Sequence, residues 1–389
     1  MPNRHEAQAR TRLPAVRLGA MNPVERARWI AHDFTSALPR AQHALSASGD
    51  WNPLSARGFR QLSEVVFDEL VLTGIAASST RRPTLQRTVD SCAAAAEELS
   101  GLGVKGAHTD PDPLRVKDLR RRQFGPQEFE QLTFEHRPSL PPSIQAEGLG
   151  APATAVAHLC RAGDSARPWM VWVHGAGQGR PFDLLLSRAR RLRSELGMNI
   201  ALPVQPGCGV RHNEWPPYPT MDPLANVAAV MRAVSEVRAL LRWLRPQSTA
   251  IAISGVSMGS PVAALVSHLE PVDAVALFTP ILDLNATIGA LTRRWGLALR
   301  ETRELLQSDV ASNLATVIDH PSVSPSAPPE RRLIVGARHD RMARREAALA
   351  LHERWGGQLY WHDGSHVGQA FSSRVRKTTE HFLRVVADR

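Results

Sequence analysis

Ser257 sits in Gly255-Val256-Ser257-Met258-Gly259, after a short apolar run at residues 249–253 and before a helical pattern at residues 259–269. A serine on a sharp turn from strand to helix is held in a strained backbone conformation with its hydroxyl outward. The residues two before and two after it must be small, because strand and helix pack closely there. The helix start also lends its dipole to negative charge developing beside the serine. By composition alone, about one random chain of this size in ten holds such a pentapeptide, so its placement between a buried strand and a helix carries the argument. Pro261 fits a first helical turn.

A serine hydroxyl needs a base. The preferred candidate is His366, in Asp363-Gly364-Ser365-His366-Val367-Gly368, where flexible glycines would let the ring swing over the serine. His362 and His339 are its rivals. The base needs an orienting carboxylate. Asp340 follows an apolar run at residues 332–335, in Gly336-Ala337-Arg338-His339-Asp340. The alternative acid is Asp283, beyond the strand pattern at residues 272–278, and Asp363 reads as a turn residue. A tetrahedral oxyanion needs two converging N–H donors. Met258, after the serine, supplies one. The glycine-rich run His174-Gly175-Ala176-Gly177 supplies the other, from Ala176 or else Gly177, with His174 in a structural role.

These loops require a framework. From residue 168 short apolar runs alternate with amphipathic helical patterns, with strands at 169–173, 199–204, 249–253, 272–278, 332–335 and 358–361. Helices fall near 182–196, 223–244, 259–269, 342–355 and 372–387. Such alternation predicts a mostly parallel sheet covered on both faces, with chemistry beyond the carboxyl ends of its strands. Upstream, Ile30 and Phe34 are spaced to share a helical face. Phe59, Leu62, Val66, Leu70 and Ile75 recur at helical spacing, and residues 84–102 form another helix ending at Gly101 and Gly103. Residues 129–134 and 153–160 are strand candidates. Residues 1–110 are expected to be a helical extension, not an independent enzyme.

The chain has 389 residues, 43% hydrophobic, 22% charged and 5% aromatic. That apolar fraction excludes wholesale disorder. No apolar run reaches spanning length, and residues 1–40 lack a secretory signal pattern. Three scattered cysteines (Cys92, Cys160, Cys208) cannot build a disulfide framework, so a reduced, cytoplasmic setting is expected. The net charge of +10 comes from arginine, with only Lys105, Lys117 and Lys377 as lysines. Arginine codons are GC-rich, so no nucleic-acid partner is inferred; a basic face could meet anionic substrates or a lipid surface peripherally. His362 and His366 are spaced for a metal only on a helix, and Asp363-Gly364 between them reads as a turn, so neither a metal nor a cofactor is expected. Pro181 interrupts the Gly175-x-Gly177 turn, against a dinucleotide fingerprint.

The His-Gly-x-Gly loop, the Gly-x-Ser-x-Gly elbow, the Gly-x-x-x-Asp turn and the terminal histidine turn follow one another in the order Ser, Asp, His. In this the segment from residue 153 onward, about 60% of the chain, resembles the α/β-hydrolase superfamily, in particular bacterial members with an N-terminal helical extension. The resemblance implies an α/β fold with a central sheet flanked by helices, and a serine hydrolase mechanism without a cofactor. It divides the chain into an extension (1–110) and a hydrolase domain (111–389), in which residues 281–328 form a lid insertion. That insertion has a helical pattern at 288–306 with Trp295 and Leu299 on one face. The expected substrate is a small acyl ester or thioester, making the protein an esterase- or lipase-like hydrolase. Acyl transfer by the same triad, or noncatalytic binding on a hydrolase scaffold, are the alternatives. Arg211 and Trp215, in a proline-stiffened loop, are candidates to meet a substrate anion or else to pack.

Overall fold

The structure, a computed structural model, describes residues 23–49, 51–79, 87, 89–214, 216–293, 300–318 and 322–388. Four helices come first: α1 (Pro23–Thr35), α2 (Ala37–Ser46), α3 (Ala56–Ser79) and α4 (Val89–Ala107). A hairpin of β1 (Arg115–Phe124) and β2 (Gln127–His136) leads through α5 (Pro142–Ala146) to β3 (Ala153–Cys160). Strand and helix then alternate: β4 (Trp169–Val173), α6 (Asp183–Leu186), α7 (Ala189–Leu196), β5 (Asn199–Val204), α8 (Pro223–Leu244), β6 (Ile251–Val256), α9 (Ser260–Leu269) and β7 (Ala274–Phe278). After β7 come α10 (Leu284–Leu291), α11 (Arg300–Leu306), α12 (Asp309–Ala315), β8 (Arg332–Ala337), α13 (Arg345–Trp355), β9 (Gln358–His362) and α14 (Ser373–Ala387).

Among the described residues, nine strands form one mixed sheet in the order β1-β2-β3-β5-β4-β6-β7-β8-β9. The pairs from β5 through β4 to β9 are parallel, and those joining β1, β2, β3 and β5 are antiparallel. The central strands β4, β5 and β7 are buried along their whole length. Alternation along a strand divides the core between the two faces. Trp169, Val171 and Val173 point toward a cluster built with α4, α8, α9, α12 and α13. Met170 and Trp172 point toward α6, α7 and α14. Helix α8 is buried for nearly its full length, with Pro223 in its first turn and Asp222 capping it through Leu224 N–H and Ala225 N–H at 3.0 and 3.1 Å.

Several local expectations are corrected. The pattern at 182–196 is two helices, broken by Arg188 in the left-handed region (φ 58°). The helix placed at 84–102 runs from Val89 to Ala107, with a non-helical Gly103 inside it; residues 84–86 and 88 lie outside the described residues. Strand β1 escapes a search for apolar alternation because it is an exposed edge carrying Arg115, Lys117, Asp118, Arg120, Arg121 and Arg122. Charge on an edge strand opposes pairing with other chains. Residues 288–306 are not one helix: α10 ends at Leu291 and α11 begins at Arg300, and Trp295 and Leu299 lie outside the described residues.

The apolar stripe assigned to residues 59–75 is also revised. Phe59 is 69% exposed, and Phe34 of α1 is 60% exposed. The side chains that α3 buries are Gln61, Val65, Asp68, Glu69, Leu72 and Thr73, half of them charged or amide-bearing. Buried carboxylates require partners, and these partners lie at the candidate site.

Candidate active site

The elbow follows directly from its sequence. Ser257 adopts φ 54°, a left-handed conformation that a non-glycine residue enters only when its surroundings enforce it. Those surroundings leave no room for side chains on either flank. A Cβ on Gly255 would lie 2.6 Å from Gly259 O and 2.8 Å from Ala263 Cβ; on Gly259 it would lie 2.4 Å from Val173 O. Strand β6, the turn and α9 are thus pressed against the end of β4, and Ser257 is the residue left to project. It is 7% exposed and opens onto a pocket.

The end of β4 carries the glycine-rich loop His174-Gly175-Ala176-Gly177. The imidazole of His174 is buried, and burial drives its pKa down to about 4. As a neutral ring it donates from Nδ1 to Gly175 O (2.8 Å) and accepts Gln205 N–H at Nε2 (3.0 Å), while Gln205 Nε2 donates to His174 O. Gly175 N–H is taken by Gln178 Oε1 at 2.6 Å. The loop is therefore anchored at both ends. Ala176 and Met258 face the same pocket as Ser257, and Gly177 adopts φ 76° just beyond.

Asp340 follows β8 and His366 follows β9. His366 Nδ1 lies 2.8 Å from Asp340 Oδ2 and 3.0 Å from Oδ1, and both side chains are buried. Asp340 Oδ1 also accepts Met342 N–H and Ala343 N–H, each at 2.7 Å, which fixes the carboxylate plane. Burial alone would push the His366 pKa down. The charge of Asp340 and its hydrogen bond outweigh that, with Asp68 adding to them, and the pKa rises above its ordinary value.

The other candidates are engaged elsewhere. Asp283 caps α10 by accepting Ala286 N–H at 2.9 Å. His362 Nε2 lies 2.9 Å from Glu64 Oε2. His339 Nε2 lies 3.2 Å from Gln61 Nε2. Arg211 is buried on Glu236 in a two-point contact at 2.6 and 2.9 Å, so it packs instead of meeting a substrate; Trp215 lies outside the described residues.

Sequence reasoning missed the contribution of α3. Asp363 is more than a turn residue: it accepts both Arg57 Nε and Arg57 Nη2, at 2.6 and 2.7 Å, and Gln61 Nε2 at 3.2 Å. Glu64 accepts Ser365 N–H at 3.1 Å. Burial opposes its ionisation, but His362, the Ser365 N–H and Arg60 together hold its carboxyl below the usual value. A Cβ at Gly364 or Gly368 would meet the Glu64 carboxylate, so α3 packs directly onto the turn that carries them. The available signal was the spacing of Gln61, Glu64 and Asp68, polar residues three and four apart that share one helix face.

The pocket at Ser257 is narrow and apolar. Leu72 and Ile75 of α3, Met221, and Leu284, Ile288 and Leu291 of α10 wall it, and Met342 lines it two residues after Asp340.

Comparison with known proteins agrees with this architecture. The structure resembles Acetyl Xylan Esterase 1 from Thermoanaerobacterium sp. JW/SL YS485, with a TM-score of 0.50 and 14% identity, covering 77% of this chain and 94% of that one. The likeness is one of fold: the chain has the α/β-hydrolase fold. The structure is also similar to the peroxisomal alpha-beta-hydrolase Lpx1 of Saccharomyces cerevisiae, at a TM-score of 0.45 and 13% identity over 67% of this chain and 90% of that one. By sequence, this hydrolase-fold chain is 32% identical over 404 residues to Uncharacterized protein Rv2627c of Mycobacterium tuberculosis (strain ATCC 25618 / H37Rv), covering 97% of this chain and 94% of that protein. The same values hold for Uncharacterized protein MT2702 of strain CDC 1551 / Oshkosh, and the chain belongs to one family with them. No protein-family model matches the sequence. Among the described residues, no helix is long and apolar enough to cross a membrane.

Proposed function

We propose that the protein is a serine hydrolase that cleaves a carboxylic ester or thioester through an acyl-enzyme on Ser257. The observation that carries this reading is the buried His366–Asp340 pair at 2.8 Å, together with the strained Ser257, which lines an apolar pocket that Met342, two residues after Asp340, lines as well. Ser257 Oγ attacks the acyl carbon while His366 Nε2 takes its proton. Asp340 holds the imidazolium, and the N–H groups of Met258 and Ala176 receive the oxyanion, with Gly177 shaping that loop. Collapse breaks the bond from the acyl carbon to the leaving oxygen or sulfur, and His366 returns the proton to the departing alcohol or thiol. Water, deprotonated by His366, then attacks the acyl-enzyme and releases the acid and Ser257.

The wall of Leu72, Ile75, Leu284, Ile288 and Leu291 suits an apolar acyl group. In this reading α10 is the lid element of the 281–328 segment. Neither a metal nor a cofactor takes part in these steps. The acetyl esterase likeness accords with ester chemistry as a fold-level analogy.

A fluorophosphonate probe followed by mass spectrometry tests the assignment, with an adduct on Ser257 expected. Hydrolysis of p-nitrophenyl esters is then expected to rise from acetate to longer acyl chains. An adduct without turnover would turn the reading toward acyl transfer. No adduct, together with no ester turnover, would leave a noncatalytic scaffold.

A further inference from the structure

Helix α3 presents one continuous stripe to the site: Arg57, Gln61, Glu64, Asp68, Leu72 and Ile75, spaced by three or four residues. At the centre of the stripe, the Asp68 carboxylate is fully buried and collects donors from two different loops. Its Oδ1 accepts the Ser365 hydroxyl at 2.8 Å and Val367 N–H at 2.9 Å. Its Oδ2 accepts His366 N–H at 2.9 Å and lies 3.4 Å from Arg341 N. Ser365, His366 and Val367 form the histidine turn, and Arg341 follows Asp340. One carboxylate therefore ties the loop that carries the candidate acid to the loop that carries the candidate base.

Burial, with the nearby charge of Asp340, raises the Asp68 pKa to about 6 even though Val367, Ser365 and the charge of His366 favour its ionised form. A buried carboxylate beside a second one opposes ionisation, so its position here calls for a role. The other charged groups around it are paired: Glu64 with His362 and Arg60, Glu69 with Arg40 and Arg341, and Asp363 with Arg57 and Arg60. One and two turns further along α3, Leu72 and Ile75 line the pocket at Ser257.

We infer that α3 is a built-in wall of the site, in which Asp68 is a positioning residue that holds His366 against Asp340 while Leu72 and Ile75 set which acyl groups fit. The inference rests on the Ser257–His366–Asp340 reading and gives residues before the sheet a part in chemistry at its far edge.

The test uses the full-length enzyme and p-nitrophenyl esters, with Ser257→Ala alongside and circular dichroism melting curves for every variant. In Asp68→Asn the amide nitrogen must face N–H donors, so the histidine turn loses its anchor. The expected result is a fall in kcat of about 10², with KM within about threefold of wild type. The acid limb of the kcat/KM profile should also move to lower pH, because His366 loses the negative charge that raises its pKa. A folded Asp68→Asn with wild-type kcat overturns the inference. So does a fall in kcat with an unshifted acid limb, which would mean general loosening. Should Asp68→Asn not fold, Leu72→Trp decides: the preference for longer over shorter acyl chains should drop by about tenfold, and an unchanged preference overturns the inference. If Ser257→Ala keeps full turnover, it is the proposed hydrolysis that fails; if Ser257→Ala is inactive and the α3 variants behave as wild type, only the role of α3 fails.

Discussion

The elbow at Ser257 and the turn at His366 lie at strand ends of one sheet, yet they are held in opposite ways. The elbow supports itself. Gly255, Gly259, Ala263 and the end of β4 press on one another until only one backbone path remains, and that path puts Ser257 at φ 54°. The histidine turn takes much of its support from outside: Ser365 N–H, His366 N–H and Val367 N–H all run to carboxylates of α3, about 300 residues earlier in the chain. A turn built from its own packing announces itself in five residues. A turn held by a distant helix leaves only glycines at Gly364 and Gly368, which resemble hinges until Glu64 is seen occupying the space beside them.

The comparison is broken most directly at its chemical centre. Ser257→Ala should lower ester turnover by about 10⁴ or more while the melting temperature holds; substantial residual turnover that tracks the purified variant would falsify the elbow assignment. Asp340→Asn should reduce kcat by about 10⁴, as the loss of an orienting carboxylate does in other triads. Asp283→Asn should change kcat little, since Asp283 caps α10 and asparagine caps as well. The opposite ranking would move the acid to the neighbouring strand end.

Self-support at the elbow is sharpened by Gly259→Ala. The added methyl would meet Val173 O and His174 O at 2.4 and 2.5 Å, so both activity and stability should drop, by about 3 kcal/mol in urea unfolding. Unchanged stability would show that the turn can relax, contrary to the packing described.

External support at the histidine turn makes a prediction about pH. In the proposed mechanism His366 must be neutral to accept the serine proton, and its pKa lies above the ordinary 6.5. Activity should therefore decline on acidification from above pH 6.5, and Asp340→Asn should carry the residual acid limb downward. The same raised pKa stabilises the fold below pH 6.5, and this contribution fades as pH rises through the folded value. A limb below 6.5 in the wild-type enzyme would show that burial outweighs the carboxylates. Asp283→Ala should cost about 1 kcal/mol of stability through the lost cap, with turnover nearly unchanged.

The alternation of apolar runs and amphipathic patterns from residue 168 onward was enough to place the parallel strands, because strands buried on both faces must be apolar throughout. The elbow was legible for a partly local reason, since Gly255 answers to Gly259 and Ala263 a few residues on, while Gly259 answers to the end of β4. Strand β1 was hidden because a solvent-facing edge needs no apolar alternation, and Arg188 broke a helix that periodicity alone would continue. The pairing of His366 with Asp340 rather than Asp283 was decided in three dimensions: β8 and β9 are neighbours and bring their end loops together, while Asp283 is taken by the first turn of α10. The partners of Glu64 and Asp68 were likewise beyond the sequence. A carboxylate on a helix carries the same chemical signature whether it faces water or a buried turn, and only the packing of α3 over the ends of β8 and β9 brings N–H donors to those oxygens.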